Sequence, residues 1–535
     1  MQHSLLAAAL LHAAACVATG TAASESAWLG WGGNPFNNRW ASANTKISSA
    51  NIQTAAVHCK LDGFLPGISA TPAVANGIVY FPAFNGSLVA LDYEACKVKW
   101  QINVTQLIVD YAQPTLLQTQ TTTLVSRTTP QLDLANKILY FATQTHGLIV
   151  AADLTTGAIL GYKRINPHPL VLVTISPTLL GDTLFLGASS GEESVAFYTD
   201  SYNFTFIGNA AAVRYNRHTR AFTTLWDVPM LPPDDPSTPG RWSGVGVWGS
   251  QPSLDLKRNQ VFYGTGNVYS TPDAFIPCTA DPTSPACALP PKVLQESIIA
   301  FDITTGKINW IRHLGPLDSW TLACFVDPII TALCPNTPGP DADFGMAPTF
   351  IPGGGKRGND ILVVGQKNGI MHSLDAATGK VEWSTAGGPG SVAGGVVWGI
   401  AADASRAYFN EANPFNAPWK PQPQNSTVIT AGAYGAIDIK TGAILWQTSV
   451  GGNFTASNAP TVVGDLVLAG KEINSGSQVA ASFLAFKKST GQVLLDLPLN
   501  TYFQSAISVA GKYIFFGSGY RGVTVPGSFY VLKVI

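Results

Sequence analysis

One ten-residue pattern recurs along the chain and restricts it to very few folds. It reads Phe301-Asp302-Ile303-Thr304-Thr305-Gly306-Lys307-Ile308-Asn309-Trp310 in one copy and Leu374-Asp375-Ala376-Ala377-Thr378-Gly379-Lys380-Val381-Glu382-Trp383 in the next. Further copies start at Leu91, Ala152 and Ile437, and worn ones surround Asn216 and Lys487. Within a copy, an alternating apolar strand ends at an Asp whose side chain bonds the backbone of a tight turn. Thr-Gly closes that turn, with Gly free to take positive φ. A second strand then runs to a Trp that packs between neighbouring sheets. The anchors Asp92, Asp153, Asn216, Asp302, Asp375, Asp438 and Lys487 are spaced by 61, 63, 86, 73, 63 and 49 residues. Repeats of that length built on strand hairpins predict the blades of a β-propeller. The longest intervals hold insertions rich in Pro and Cys. An eighth blade fits residues 506–535, whose last strand is Phe529–Ile535. The segment near Trp28–Trp40 is expected to pair with it and close the ring, removing free sheet edges. Residues 24–535 thus read as a single all-β domain, an eight-bladed β-propeller.

Composition agrees and excludes other classes. The 535 residues carry 31 Lys+Arg against 32 Asp+Glu, a net charge of −1, so no basic excess exists to bind nucleic acid. Apolar residues at 46% exclude a disordered chain, and 52 Gly with 36 Pro argue against long helices.

Residues 1–23 read as a secretory signal: Leu5–Val17 is apolar but too short to span a bilayer, and Thr21-Ala22-Ala23 offers small residues for cleavage. No later stretch is long enough to cross a membrane. Six cysteines remain after Cys16 leaves, and six allow 15 pairings. Local spacing suggests Cys278–Cys287 and Cys324–Cys334, which leaves Cys59–Cys96. No Cys-x-x-Cys occurs and the eight His are scattered, which argues against a zinc site. Asn85, Asn103, Asn203, Asn425 and Asn453 open glycosylation sequons. A secreted or secretory-pathway glycoprotein follows, as a monomer or weak dimer acting on small molecules, with no nucleic-acid or membrane partner.

The Asp-x-x-Thr-Gly-x-x-x-Trp turns resemble the blades of pyrroloquinoline quinone (PQQ) dehydrogenases. Several longer stretches resemble the branch of polyvinyl-alcohol dehydrogenase. They are Val247-Trp248-Gly249-Ser250, Tyr263-Gly264-Thr265-Gly266-Asn267-Val268-Tyr269-Ser270, Asp341-Ala342-Asp343-Phe344-Gly345, Gly365-Gln366-Lys367-Asn368-Gly369 and Gly394-Gly395-Val396-Val397-Trp398-Gly399. The resemblance implies Trp248 as the floor under the quinone, Glu193 and Asn267 as calcium ligands, and Lys367 facing the quinone oxygens. It also marks departures. The adjacent cysteines that cap the quinone in many relatives are missing from Tyr140-Phe141-Ala142, and an expected Arg is His146. In Asp318-Ser319-Trp320-Thr321, Thr321 stands where the catalytic base is expected, and a hydroxyl cannot serve as a carboxylate does. Val397 replaces an Asn, and no haem-binding Cys-x-x-Cys-His is present.

Three functions follow. The losses favour a cofactor-free enzyme that reuses the funnel. The chain resembles exported fungal propellers of secondary metabolism, among them hetero-Diels–Alderases that join a tropolone quinone methide to a humulene-type sesquiterpene. There Trp248, Trp320 and Trp398 would wall the cavity beside Asn267 and Thr321. Lys367 or His146 would polarise the tropolone oxygen, and Glu193 or Asp318 would assist loss of water. The alternative is a PQQ- and calcium-dependent alcohol dehydrogenase, with Asp318 as a substitute base. The third is a non-catalytic binding propeller.

Overall fold

The Asp-x-x-Thr-Gly turns form as their chemistry dictates. The Oδ1 of Asp302 accepts from the backbone N–H groups of Thr304 and Thr305 and from the Thr305 hydroxyl, at 3.1, 2.8 and 2.8 Å. Asp153, Asp375 and Asp438 repeat this three-donor cradle. Gly306 closes its turn at φ +71°. The same glycines receive the tryptophan of the preceding blade, for a Cβ on Gly306 would lie 2.6 Å from Trp226 and one on Gly442 2.7 Å from Trp383. Each indole also donates to the next blade's turn: Trp226 to Ile303 O, Trp310 to Ala376 O, Trp383 to Ile439 O and Trp446 to Lys488 O, at 2.8 to 3.1 Å. Blade 2 has Gly161 in place of this tryptophan, and the carbonyl of Arg220 from blade 3 fills the space.

The computed structural model describes residues 26–235, 237–281, 284, 287–325, 333–424, 426–475, 478–520 and 525–535. The expected signal segment and the Asn425 sequon lie outside them. Eight four-stranded antiparallel sheets follow one another around a ring, spanning 73–103, 131–164, 178–229, 253–313, 349–386, 401–449, 461–499 and, for the last, 508–533 with 56–64. Middle strands such as Ile361–Gly365 are buried throughout because a neighbouring blade covers each face, whereas the outermost Val381–Ala386 alternates towards solvent.

Ring closure differs from the expectation. Ala56–Phe64, not Trp28–Trp40, pairs antiparallel with Gly527–Lys533 as the outermost strand of blade 8. Trp40–Ala41 lies parallel to Val462–Val463, at the inner edge of blade 7. This inner position is fixed by the buried Arg39, which donates to the carbonyls of Trp31, Pro460 and Ile507 and to the hydroxyls of Thr71 and Thr461. A strand with mostly exposed residues suits an outer position, and an arginine-anchored apolar segment suits the ring interior. The three disulfides pair as the spacing suggested. Cys59–Cys96 ties the closing strand to blade 1. The other two lie in the long insertions around blade 4, where Gly240–Gly244 and Val268–Pro272 form a two-stranded ribbon.

Candidate functional site

Glycine-rich segments within and between blades 3, 4 and 5 bring acids and one lysine to the funnel. Gly266-Asn267 and Asp341-Ala342-Asp343 meet where the Asn267 N–H donates to Asp343 Oδ1 at 2.6 Å. Trp248 Nε1 donates to Asp343 Oδ2 at 2.9 Å. Lys367 Nζ lies 2.9 Å from Asp341 Oδ2 and 3.6 Å from Asp343 Oδ2, and 5.2 Å from the centre of the Trp248 ring. Asn267 spends its amide nitrogen on the carbonyls of Val268 and Trp320, at 3.0 and 2.8 Å, which turns its oxygen away from them. Close approach is possible because a Cβ on Gly266 would collide with the Asp343 carboxylate, and one on Gly345 with Trp248.

One ammonium faces three carboxylates, and burial raises two of them, Glu193 and Asp341. Burial pushes the Glu193 carboxyl up to about 7, with Asp343 adding to the rise and Lys367 opposing it. Burial also raises Asp341 well above the usual range against the pull of Lys367, and Asp341 Oδ1 has no hydrogen-bond partner. Burial alone would lower the Lys367 pKa, but Asp341, Asp343 and Glu193 reverse this and keep the ammonium charged. Burial and mutual repulsion thus favour the protonated forms of Glu193 and Asp341.

A second acid pair supports this loop from below. Asp318 Oδ2 accepts from the N–H of Ala342, between the two funnel aspartates, at 2.8 Å. Burial first, then a hydrogen bond to Asp318, raises the Glu296 carboxyl far above its ordinary value. Neither Glu296 Oε1 nor Asp318 Oδ1 has another hydrogen-bond partner.

Trp248 also borders an axial pocket that is partly open to solvent. Trp31, Trp398, Tyr520 and Arg127 contribute to its walls, together with Ser and Thr hydroxyls. Trp398 meets Trp248 edge to face at 5.4 Å.

Relatives carry the same architecture. A sequence family described as outer membrane protein assembly factor BamB matches residues 294–525. A polyvinylalcohol dehydrogenase of Pseudomonas sp is 27% identical over 91% of this chain and 69% of its own length. The corresponding enzyme of Sphingopyxis sp. (strain 113P3) is 25% identical over 72% of this chain, which spans only 58% of that relative. Among solved structures, a europium-containing methanol dehydrogenase superposes with TM-score 0.66 at 16% identity, covering 95% of this chain and 98% of that one. This chain is a PQQ-like eight-bladed propeller. It is related to polyvinyl-alcohol dehydrogenases and quinoprotein alcohol dehydrogenases.

Several of the residues singled out by sequence are brought together in this PQQ-like propeller. Trp248, Asn267 and Lys367 share the Asp343 carboxylate or its surroundings, and Glu193 lies close enough to feel the charges of Asp343 and Lys367. Trp398 joins them through the cavity. Asp318 supports the loop and does not face the cavity, and Trp320 offers its backbone carbonyl to Asn267. Thr321 turns away, donating its hydroxyl to Leu333 O at 3.0 Å. His146 stands apart, its Nε2 bonded to Ala112 O at 2.8 Å and its pKa lowered by burial. Glu192, beside Glu193, is held by Tyr202, Thr205 and Phe206.

Sequence reasoning missed Asp341 and Asp343 as site residues. The Asp-Ala-Asp-Phe-Gly run was the available signal, and its carboxylates occupy the funnel where Thr321 offers none.

Proposed function

We propose that the protein is a quinone- and calcium-dependent alcohol dehydrogenase of the secretory pathway. The observation that carries this reading is Asp343, a carboxylate fixed by Trp248 and Asn267 beside the funnel lysine. It answers the main objection raised by Thr321.

The residues suit the cofactor chemistry. Glu193 and the Asn267 side-chain oxygen are hard donors of the kind calcium takes and would hold the ion together with donors from outside the chain. Among the described residues no three His, Cys, Asp or Glu side chains form a metal cluster by themselves, so this set depends on such extra donors. Trp248 supplies a flat face and Lys367 a fixed positive charge. When bound, PQQ with calcium supplies a two-electron acceptor. Asp343 takes the proton of the substrate hydroxyl as the carbonyl product forms, Lys367 balances the charge of the acid cluster, and Asp341 holds Lys367 in place.

The cofactor-free cycloaddition keeps the aromatic walls of the cavity in its favour but gives no role to the Asp341–Asp343–Lys367 cluster. Entry into the secretory route is supported by the three disulfides. Asn85, Asn103, Asn203 and Asn453 are exposed, and among the described residues no hydrogen bond engages their amide nitrogens. Glycans at these four sites are part of the same proposal, tested by the mass lost on enzymatic deglycosylation. No helix among the described residues is long and apolar enough to cross a membrane.

The decisive experiment titrates the purified protein with PQQ and CaCl2 and then adds alcohols. Micromolar binding followed by alcohol-dependent quinone reduction supports the reading. No binding at micromolar PQQ overturns it.

A further inference from the structure

The acid loop Asp341-Ala342-Asp343 is held by its backbone as well as by its side chains. Ala342 N donates to Asp318 Oδ2 at 2.8 Å, which fixes the peptide after Asp341. Ala342 O accepts from Gln366 Nε2 at 2.6 Å, which fixes the peptide before Asp343. Lys367 N donates to Asp343 O at 3.1 Å and holds the peptide after that. Two neighbours in the turn between Ile361–Gly365 and Ile370–Asp375 thus serve one loop, Lys367 by its charge and Gln366 through the backbone.

The buried amide of Gln366 can point only one way. A carbonyl oxygen accepts and never donates, so the amide nitrogen must face Ala342 O and the amide oxygen must face away from it. That oxygen accepts from Asn368 Nδ2 at 2.9 Å and lies 3.2 Å from His372 Nε2. His372 Nε2 therefore carries the proton, and Nδ1 accepts from the Ser384 hydroxyl at 2.8 Å. Burial lowers the His372 pKa to about 4, so the ring stays neutral near pH 7 and keeps this tautomer. Its ring centre lies 6.2 Å from that of Phe344, the residue after Asp343. His372 is 4% exposed with both ring nitrogens engaged, so it acts through Gln366 and not on a ligand.

We propose that Gln366 is a positioning residue for the acid cluster. It holds the Ala342 peptide so that the Asp343 carboxylate stays on Trp248 and Asn267, while His372 and Ser384 fix the direction of its amide. The consequence for turnover rests on the dehydrogenase reading; the consequence for the bond between Trp248 and Asp343 does not. A carboxylate that must take a proton from a hydroxyl loses rate steeply when misplaced, about 10²-fold for about 1 Å.

The test uses the full-length protein and three variants. Gln366→Met keeps the side-chain length but donates nothing to Ala342 O. Gln366→Asn keeps the amide on a side chain one methylene shorter, and His372→Phe keeps a ring against Phe344. The first readout needs no cofactor: the Trp248 indole N–H resonance, assigned by its loss in Trp248→Phe, reports the bond to Asp343 Oδ2. It should move upfield in Gln366→Met, less in Gln366→Asn, and least in His372→Phe, where Asn368 still faces the Gln366 oxygen. The second readout is made with PQQ and CaCl2. Alcohol-dependent kcat should fall about 10–10²-fold in Gln366→Met, with KM and the PQQ dissociation constant within about twofold of the wild type. Loss of PQQ affinity in step with kcat, with the indole resonance unmoved, would mean a residue that only stabilises the fold and would overturn the proposal. A wild-type resonance in Gln366→Asn would overturn it as well, even if Gln366→Met did not fold. Shifted resonances in a protein that binds no PQQ would keep the positioning role and remove the dehydrogenase.

Discussion

The rim and the funnel of this propeller use the same residue type in opposite ways. Asp302, on the rim, feels some burial that would raise its pKa, but bonds from Thr305, Asn259 and Thr304 overcome this and lower it. Asp341, in the funnel, and Glu296, packed near it, are raised far above the ordinary range because burial dominates. A rim carboxylate is bonded by donors mostly two and three residues away and acts as a turn brace. Asp341 and Glu296 are served by too few donors to offset the burial of their charge, which favours their protonated forms. Local hydrogen bonds make an acid structural, and burial with incomplete pairing makes it reactive.

The largest effect expected is on turnover. Asp343→Asn keeps an acceptor for the Asn267 N–H but removes the base, so alcohol-dependent reduction of bound PQQ should fall about 10²–10⁴-fold in steady-state assays. Thr321→Val should leave turnover near the wild type. The reverse pattern would return the base to the Thr321 region and break the contrast drawn above.

Rim packing comes next. Trp446 is 4% exposed and seats on Gly491 of the following blade. Trp446→Ala should cost about 3–5 kcal/mol in urea unfolding. A cost below 1 kcal/mol would mean that the turn, not the indole, holds adjacent blades.

The proton on Glu296 gives a pH signature. Its folded pKa exceeds the unfolded value of about 4.3, so the folded protein binds more protons, and stability falls as pH rises above that value. The slope from this group is at most about 1.4 kcal/mol per pH unit. Glu296→Gln carries its donor permanently and should flatten the slope while retaining the fold. Melting temperatures measured across pH 5–8 decide the matter: parallel curves for wild type and variant would mean that the pKa of Glu296 is not raised by folding.

The smallest effect belongs to a single rim brace. Asp302→Ala loses the Thr304, Thr305 and Asn259 bonds and should cost about 1–2 kcal/mol. The sign with pH is opposite to that of Glu296. A lowered pKa stabilises above the unfolded value of about 3.9 and is lost as pH falls through the folded value, so the difference between wild type and variant should shrink on acidification.

The blades were readable because each turn is written within ten residues. Asp375 with Thr378 and Gly379 closes its hairpin almost entirely with its own atoms, and Trp383 reports the next blade by its spacing alone. Ring closure was not readable in this way. Ala56–Phe64 does alternate, with Val57, Cys59 and Leu61 set between His58, Lys60 and Asp62, but nothing in it names its partner, and the aromatic Trp28–Trp40 segment looked more like a strand to be buried. The site was half readable. Trp248, Asn267 and Lys367 stand in motifs, but Asp-Ala-Asp-Phe-Gly reads equally well as a turn until Trp248 Nε1 and Asn267 N are seen to donate to Asp343.

The sequence by itself determined the repeating hairpins, the number of blades and the cysteine pairing suggested by spacing. Those features depend on contacts between near neighbours, which composition and spacing encode directly. Only the tertiary structure decided which strand closes the ring, which acids face Lys367 and which carboxyls keep a proton. Desolvation and Coulomb energies depend on distances among residues far apart in the chain, such as 193, 267, 343 and 367, and those distances exist only once the blades have packed.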